Sequence, residues 1–271
     1  MGTNTTLSPD LLGSILANIE TDMQTADPRK VTGLTDLDAL TGGLFRGRLT
    51  VIASRPGTGT STLLTNICRT ASIGHDIPTA VFTVQDSPGS FTTRVLAAEA
   101  SVARLHIHNG TLADGERARL SAASERIATA PLRIYALPVM TIRQLEAEIA
   151  DLVLQHGVGL VAIDGIQNIQ PGTEDAAASL AAIARELVVP IVATSQLMRY
   201  PWGVKPTLDD LAESVAFAAD TVILLHREDG AETPRVGEAD LIVAHRSGPC
   251  ATVTVAFEGR FGRLVDMAPA E

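Results

Sequence analysis

Residues Ser54-Arg55-Pro56-Gly57-Thr58-Gly59-Thr60-Ser61-Thr62 have the makings of a phosphate cradle. Two closely spaced glycines let backbone N–H groups converge on one anion, and a helix beginning there adds the positive end of its dipole. Such a loop ordinarily reads Gly-Lys-Ser/Thr, the lysine reaching the β- and γ-phosphates and the hydroxyl binding Mg²⁺. Gly59-Thr60-Ser61 keeps the hydroxyl and lacks the ammonium group. Lysine occurs only at Lys30 and Lys205, while arginine is plentiful. A bias of that kind turns lysine into arginine; it does not account for threonine at position 60. Arg55, Pro56, Gly57, Thr58, Gly59, Thr60, Ser61 and Thr62 are the expected phosphate-binding residues, and Ser61 is an expected metal ligand.

Two further polar residues stand at the ends of apolar runs. Asp164 follows Leu160-Val161-Ala162-Ile163, and Gln196 follows Ile191-Val192-Ala193-Thr194-Ser195. An acid at the carboxyl end of a parallel strand beside a phosphate loop is the usual second anchor for Mg²⁺. Without the loop, Asp164 would read as a turn residue. Gln196 is placed to sense a γ-phosphate or a water molecule.

The elements that must position these groups alternate. Strands are expected at Leu49–Ala53, Thr79–Val84, Leu132–Ala136, Leu160–Ile163, Ile191–Thr194 and Thr221–Leu225. Helices are expected near 61–73, 89–100, 114–129, 142–156, 175–187 and 207–218. That alternation implies a mainly parallel sheet with helices on both faces. After Arg227 the pattern turns to short β segments, Ala239–Ala244, Ala251–Phe257 and Arg260–Val265, which read as antiparallel additions to the sheet. Ahead of all this, Ser8-Pro9-Asp10 is a helix start. Leu11, Leu12, Ile15, Leu16, Ile19 and Met23 then make one apolar stripe. The expected organisation is a helical arm and linker over 1–30 and a single α/β domain over 31–271. The arm packs either on its own domain or on a neighbouring subunit.

With 271 residues and 45% hydrophobic composition, the chain builds a sizeable core without disulfides. Cys68 and Cys250 show no framework or metal spacing and are expected to be buried thiols in a reducing cytosol. The six histidines show no ligand spacing. No apolar run is long enough to span a bilayer, and the expected location is cytoplasmic. A net charge of -10 opposes loose association with nucleic acid, although a basic lining within a ring is compatible with it.

Six motifs in order carry a resemblance. They are Thr32-Gly33-Leu34-Thr35-Asp36-Leu37-Asp38-Ala39-Leu40-Thr41-Gly42-Gly43-Leu44, Ala53-Ser54-Arg55-Pro56, Ile163-Asp164-Gly165-Ile166-Gln167, Ser195-Gln196-Leu197, Leu225-His226-Arg227-Glu228-Asp229 and His245-Arg246-Ser247-Gly248-Pro249. Together they resemble the C-terminal RecA-like motor domain of the DnaB replicative helicase family, over about residues 31–267. The 8–24 helix is similar to that family's linker helix. The resemblance implies a RecA-like P-loop NTPase fold and ATP with Mg²⁺ as cofactors. It also implies a homo-oligomeric, hexameric ring on single-stranded DNA. In that scheme Arg246 acts in trans, Gln196 belongs to the catalytic set and Arg227 flanks the nucleotide base.

The departures from the family pattern are as informative. Thr60 replaces the lysine. A strand-end Ser-Leu-Glu-Met pattern falls on Thr83-Val84-Gln85-Asp86, so Gln85 stands where the catalytic glutamate belongs. Asp86 is adjacent, but one residue along a strand turns a side chain to the other face. A trans-acting Lys-x-Arg is reduced to Ala244-His245-Arg246, and a DNA-contacting Leu-Arg-Glu-Ser-Gly to Leu211-Ala212-Glu213-Ser214-Val215. Three readings follow. The first is a degenerate family member with weak or no hydrolysis and an assembly or regulatory role in DNA replication, acting on a replicative helicase or its loader. The second is an active ATP-dependent helicase or translocase with a rearranged site. The third is an interaction protein that binds neither nucleotide nor DNA.

Overall fold

A computed structural model describes residues 32–84, 86–137, 139–170, 173–198, 204–228, 235–244 and 250–268. The expected arm helix at 8–24, Gln85 and Arg246 lie outside the described residues. Strand β1 (Leu49–Ser54) is buried along its whole length. It pairs in parallel with β7 (Ile191–Gln196) on one side and β8 (Thr221–His226) on the other. A strand covered on both faces needs a continuous apolar run, which is what Leu49-Thr50-Val51-Ile52-Ala53 supplies. The nine-stranded sheet has the order β11-β10-β9-β8-β1-β7-β5-β2-β3. Strands β2 (Thr79–Thr83), β3 (Leu132–Ala136) and β5 (Leu160–Asp164) continue the parallel part. Strands β9 (Glu238–Ala244), β10 (Ala251–Glu258) and β11 (Arg263–Asp266) add the antiparallel edge. Two short segments, β4 (Met140–Thr141) and β6 (Ile169–Gln170), pair separately.

Helices cover both faces. In chain order they are α1 (Thr35–Thr41), α2 (Thr60–Arg69), α3 (Pro88–Ala100), α4 (Arg104–Asn109), α5 (Asp114–Thr129), α6 (Ile142–His156), α7 (Thr173–Leu187) and α8 (Glu213–Ala218). One core joins Leu145, Ile149 and Leu180 to Phe82, Val161 and Ala193. The opposite core joins Leu63, Leu64, Ile67 and Phe91 to Ile52, Val81 and Val192. Alternate residues of the same strands thus feed opposite layers, as the pleat requires. Phe82 also stacks on Tyr135 at 4.9 Å between centroids.

Several boundaries differ from expectation for local reasons. The helix expected near 61–73 runs from 60 to 69 and continues into a π turn at Thr70–Gly74. The stretch expected to be helical over 207–218 divides into a 3₁₀ turn at Leu208–Asp210 and α8. Arg260 lies in the turn before β11, where Gly262 takes φ +69°. The strand expected to reach Val84 ends at Thr83. The short helices α1 and α4 were not evident from periodicity, since two turns or fewer carry little of it. Cys68 is buried as expected; Cys250, expected buried, is exposed immediately before β10. Among the described residues no helix is long and apolar enough to cross a membrane.

Phe82 has no exposed surface and its ring partner is on the sheet's outer parallel strand. Phe82→Ala is expected to destabilise the domain by about 3–5 kcal/mol, read from urea unfolding midpoints.

Candidate functional site

The loop after β1 is built by its glycines. Gly57 has φ +80° and Gly59 φ +125°. A Cβ on Gly59 would come within 2.8 Å of the Phe257 ring, so position 59 is closed to side chains by both conformation and space. Thr58 N donates to Arg55 O at 3.2 Å, closing the turn. Thr62 N and Leu63 N both donate to Gly59 O at 3.0 Å, starting α2. The helix N-terminus therefore faces a cleft of about 150 Å³ lined by Arg55, Gly57, Thr60, Ser61, Asp164 and Gln196, among others.

The centre of the cleft floor is Asp164, at the end of β5 and only 4% exposed. Its Oδ1 accepts from Ser61 Oγ at 3.0 Å and from Thr194 Oγ1 at 2.8 Å. Thr194 in turn accepts from Gly165 N at 2.8 Å. Burial pushes the Asp164 carboxyl above its ordinary value, against the hydrogen bonds from Thr194 and Ser61 and the pull of Arg94; the Asp86 charge adds to the rise. Gln167 Oε1, on the same wall, is buried without a hydrogen-bond partner. A hydroxyl, a carboxylate and an unpartnered amide oxygen form an oxygen donor set suited to a hard cation. Mg²⁺ typically uses one or two carboxylates and takes further ligands from water and phosphate. No cluster of three or more His, Cys, Asp or Glu side chains with metal-site geometry occurs among the described residues, which is compatible with that mode.

Of the residues expected to bind phosphate, Arg55, Pro56, Gly57, Thr60 and Ser61 line the cleft, together with the expected metal ligand Asp164 and with Gln196. Thr58 is buried beneath the loop, and its carbonyl accepts from Arg227 Nη1 at 3.3 Å. Thr62 does not line the cleft. Arg227 also lies over the Phe257 ring at 3.8 Å, so it braces the underside of the loop. Lys205, the only lysine among the described residues, is tied elsewhere: its Nζ sits 2.8 Å from Asp240 Oδ2. Burial alone would raise Asp240, but Arg235, Lys205 and Thr254 bring it down to about 2. Arg55 is thus the one cation among the described residues that line the cleft.

The segment matched to a DNA-contacting loop has become core. Leu211 and Val215 are 4% and 0% exposed and belong to the larger apolar cluster. Ala212 precedes α8 as its N-cap. Thr194, Gln167, Arg94 and Phe257 were not singled out as site residues from the sequence. Thr194 carried a usable signal, since it lies two residues before Gln196 on a strand neighbouring β5; the other three are brought in by packing alone.

A protein-family model for the DnaB-like helicase C-terminal domain matches residues 31–266. The chain belongs to this family. It is 41% identical over 255 residues to the replicative DNA helicase DnaB of Leifsonia xyli subsp. xyli (strain CTCB07), covering 88% of this chain and 56% of that protein. It is 36% identical over 228 residues to the replicative DNA helicase DnaB of Mycobacterium leprae (strain TN), covering 78% and 38%. The chain therefore spans at most little more than half the length of these relatives. Its fold matches a solved helicase-type ATPase domain with a TM-score of 0.86 at 23% identity, over 96% of this chain and all of that one. It also matches a DnaB-like replicative helicase, studied for its interactions with primase, at a TM-score of 0.84 and 23% identity, over 98% of this chain and 69% of that one. The RecA-like fold and membership of the DnaB-like motor-domain family are thereby established.

Because burial raises the folded-state pKa of Asp164, the buried anion opposes folding at neutral pH. That opposition fades as the pH falls through the raised value towards the ordinary 3.8. Asp164→Asn keeps an oxygen for Ser61 and Thr194. It is expected to unfold at a higher urea concentration than the wild type at neutral pH, with the gap closing on acidification.

Proposed function

We propose that this DnaB-like motor domain is a nucleotide-holding assembly or regulatory module in DNA replication and hydrolyses ATP weakly or not at all. The carrying observation is that Thr60 lines the phosphate cleft while Lys205 is held by Asp240, so no lysine among the described residues reaches the phosphates. Loss of a charge-assisted contact weakens binding by about 1.5–3 kcal/mol, or roughly ten- to a hundredfold, which leaves weak binding measurable. Loss of a general base at Gln85 lowers the rate by about 10²–10⁴. Gln85 offers no carboxylate to take the proton from water. Phosphoryl transfer depends on cationic stabilisation of its transition state, and Thr60 and His245 weaken that as well.

In this reading Ser61 and Asp164 hold Mg²⁺ with ATP, Gln196 senses the γ-phosphate, and Arg246 contacts it from a neighbouring subunit. The parts are an arm over 1–30 and a RecA-like domain over 31–271, assembling as a homo-oligomeric, hexameric ring in the cytoplasm. The partner is a replicative helicase or its loader. Grip on single-stranded DNA is poor, because Ala212 and the core residue Val215 occupy the expected contact loop. The retained Ser61–Asp164 pair and Gln196 in the same cleft favour the second reading, an active motor with a rearranged site.

The test is Mg²⁺–ATP turnover by the purified chain with and without single-stranded DNA, Asp164→Ala serving as the contaminant control. Turnover is expected to match that control. In Thr60→Lys/Gln85→Glu it is expected to rise by about 10²-fold or more. Wild-type turnover that disappears in Asp164→Ala would establish the motor reading instead.

A further inference from the structure

The family pattern places glutamate then methionine where this chain has Gln85 then Asp86, so a carboxylate lost at one position stands at the next. The structure changes what that shift means. Strand β2 ends at Thr83, so strict alternation of faces does not extend to residue 86. Asp86 N donates to Thr83 Oγ1 at 3.1 Å, turning the chain. Both carboxylate oxygens are then engaged. Oδ1 accepts from Ser90 Oγ at 3.0 Å, and Oδ2 is ion-paired with Arg94. A carboxylate held by a cation and a hydroxyl is poorly placed to take a proton from water.

Arg94 carries the contact onward. Its side chain is 8% exposed, and its stem lies against Phe91 and the backbone at Gly262. Nη1 donates to Ser61 O and to Thr65 Oγ1, each at 3.2 Å. Thr65 Oγ1 itself donates to Ser61 O at 2.7 Å. The guanidinium therefore sits behind the first turn of α2, away from the cleft, and fixes the backbone of the residue whose hydroxyl meets Asp164 on the other side. A continuous series Asp86–Arg94–Ser61–Asp164 joins the end of β2 to the end of β5 through the phosphate loop.

We infer that Asp86 is a positioning residue: by holding Arg94 against the Ser61 carbonyl it presents the Ser61 hydroxyl to Mg²⁺, and it does not activate water. This rests on the reading that the cleft takes a magnesium nucleotide. It deepens that reading, because the displaced carboxylate then serves retention of the nucleotide and not its cleavage.

The experiment uses the full chain, a fluorescent ATP analogue titrated with Mg²⁺, and amide hydrogen exchange over residues 59–66 without nucleotide. In Asp86→Asn the Mg²⁺ concentration for half-maximal binding is expected to rise about tenfold, with binding in EDTA little changed. Exchange over 59–66 is expected to accelerate. Asp86→Glu, which keeps the charge and guards against a folding defect in the first variant, is expected to retain most of the wild-type Mg²⁺ requirement. An unchanged Mg²⁺ requirement in Asp86→Asn overturns the inference, whatever the exchange shows. So does wild-type turnover that falls to the Asp164→Ala level in Asp86→Asn with Mg²⁺ binding intact, since Asp86 would then be the water-activating group. Wild-type protein with no magnesium-dependent nucleotide binding removes the underlying reading as well, and exchange over 59–66 distinguishes that outcome by reporting the brace without nucleotide.

Discussion

The Asp164 carboxylate is the junction on which the site depends. It stands at the end of β5, receives Ser61 from the first turn of α2 and Thr194 from β7, and is nearly excluded from water. A buried anion is tolerated only when donors or cations surround it. The donors come from three separate stretches of chain, so their meeting fixes the phosphate loop relative to two neighbouring parallel strands. The pairing of Ser54 with Gln196 at the ends of β1 and β7 brings the polar group beyond Thr194 to the same rim. Ligands of open parallel sheets bind at such carboxyl ends, where neighbouring connections part to opposite faces.

Geometry and charge have separated at this site. The cradle is made by backbone: positive-φ glycines, the closure of Gly59 against Phe257, and the Arg227 contact that braces Thr58 from beneath. None of these needs a lysine at position 60, so the loop keeps its shape after losing its cation. The loss of charge is therefore a chemical change and not a folding defect. The same separation marks the former DNA-contacting segment, where Val215 fills core space that a glycine would leave open.

The remaining charges are locked into structure. Lys205 and Arg235 converge on the buried Asp240, and Arg94 divides its donors between Asp86 and the first turn of α2. Each cation sits beside a buried or half-buried carboxylate, which makes it costly to withdraw for another purpose. The scarcity of lysine in this chain thus has a spatial counterpart: the one in the described fold neutralises an interior acid.

Periodicity and strand-end polarity were enough to read the architecture. The parallel order of β1, β2, β5 and β7 and the antiparallel edge follow from apolar runs alternating with helical stretches, because hydrophobic spacing is local and imposed by burial. The phosphate loop, Ser61, Asp164 and Gln196 were legible for the same reason: each lies at a fixed offset from a strand. What the sequence could not decide was which distant side chains would meet. Whether Lys205 entered the cleft, and whether Asp86 faced the site, depended on where β2 ended and on which buried acid captured each cation. Those outcomes are set by tertiary packing, since ion pairing in a desolvated interior depends on distances between residues far apart in the chain and not on their order along it.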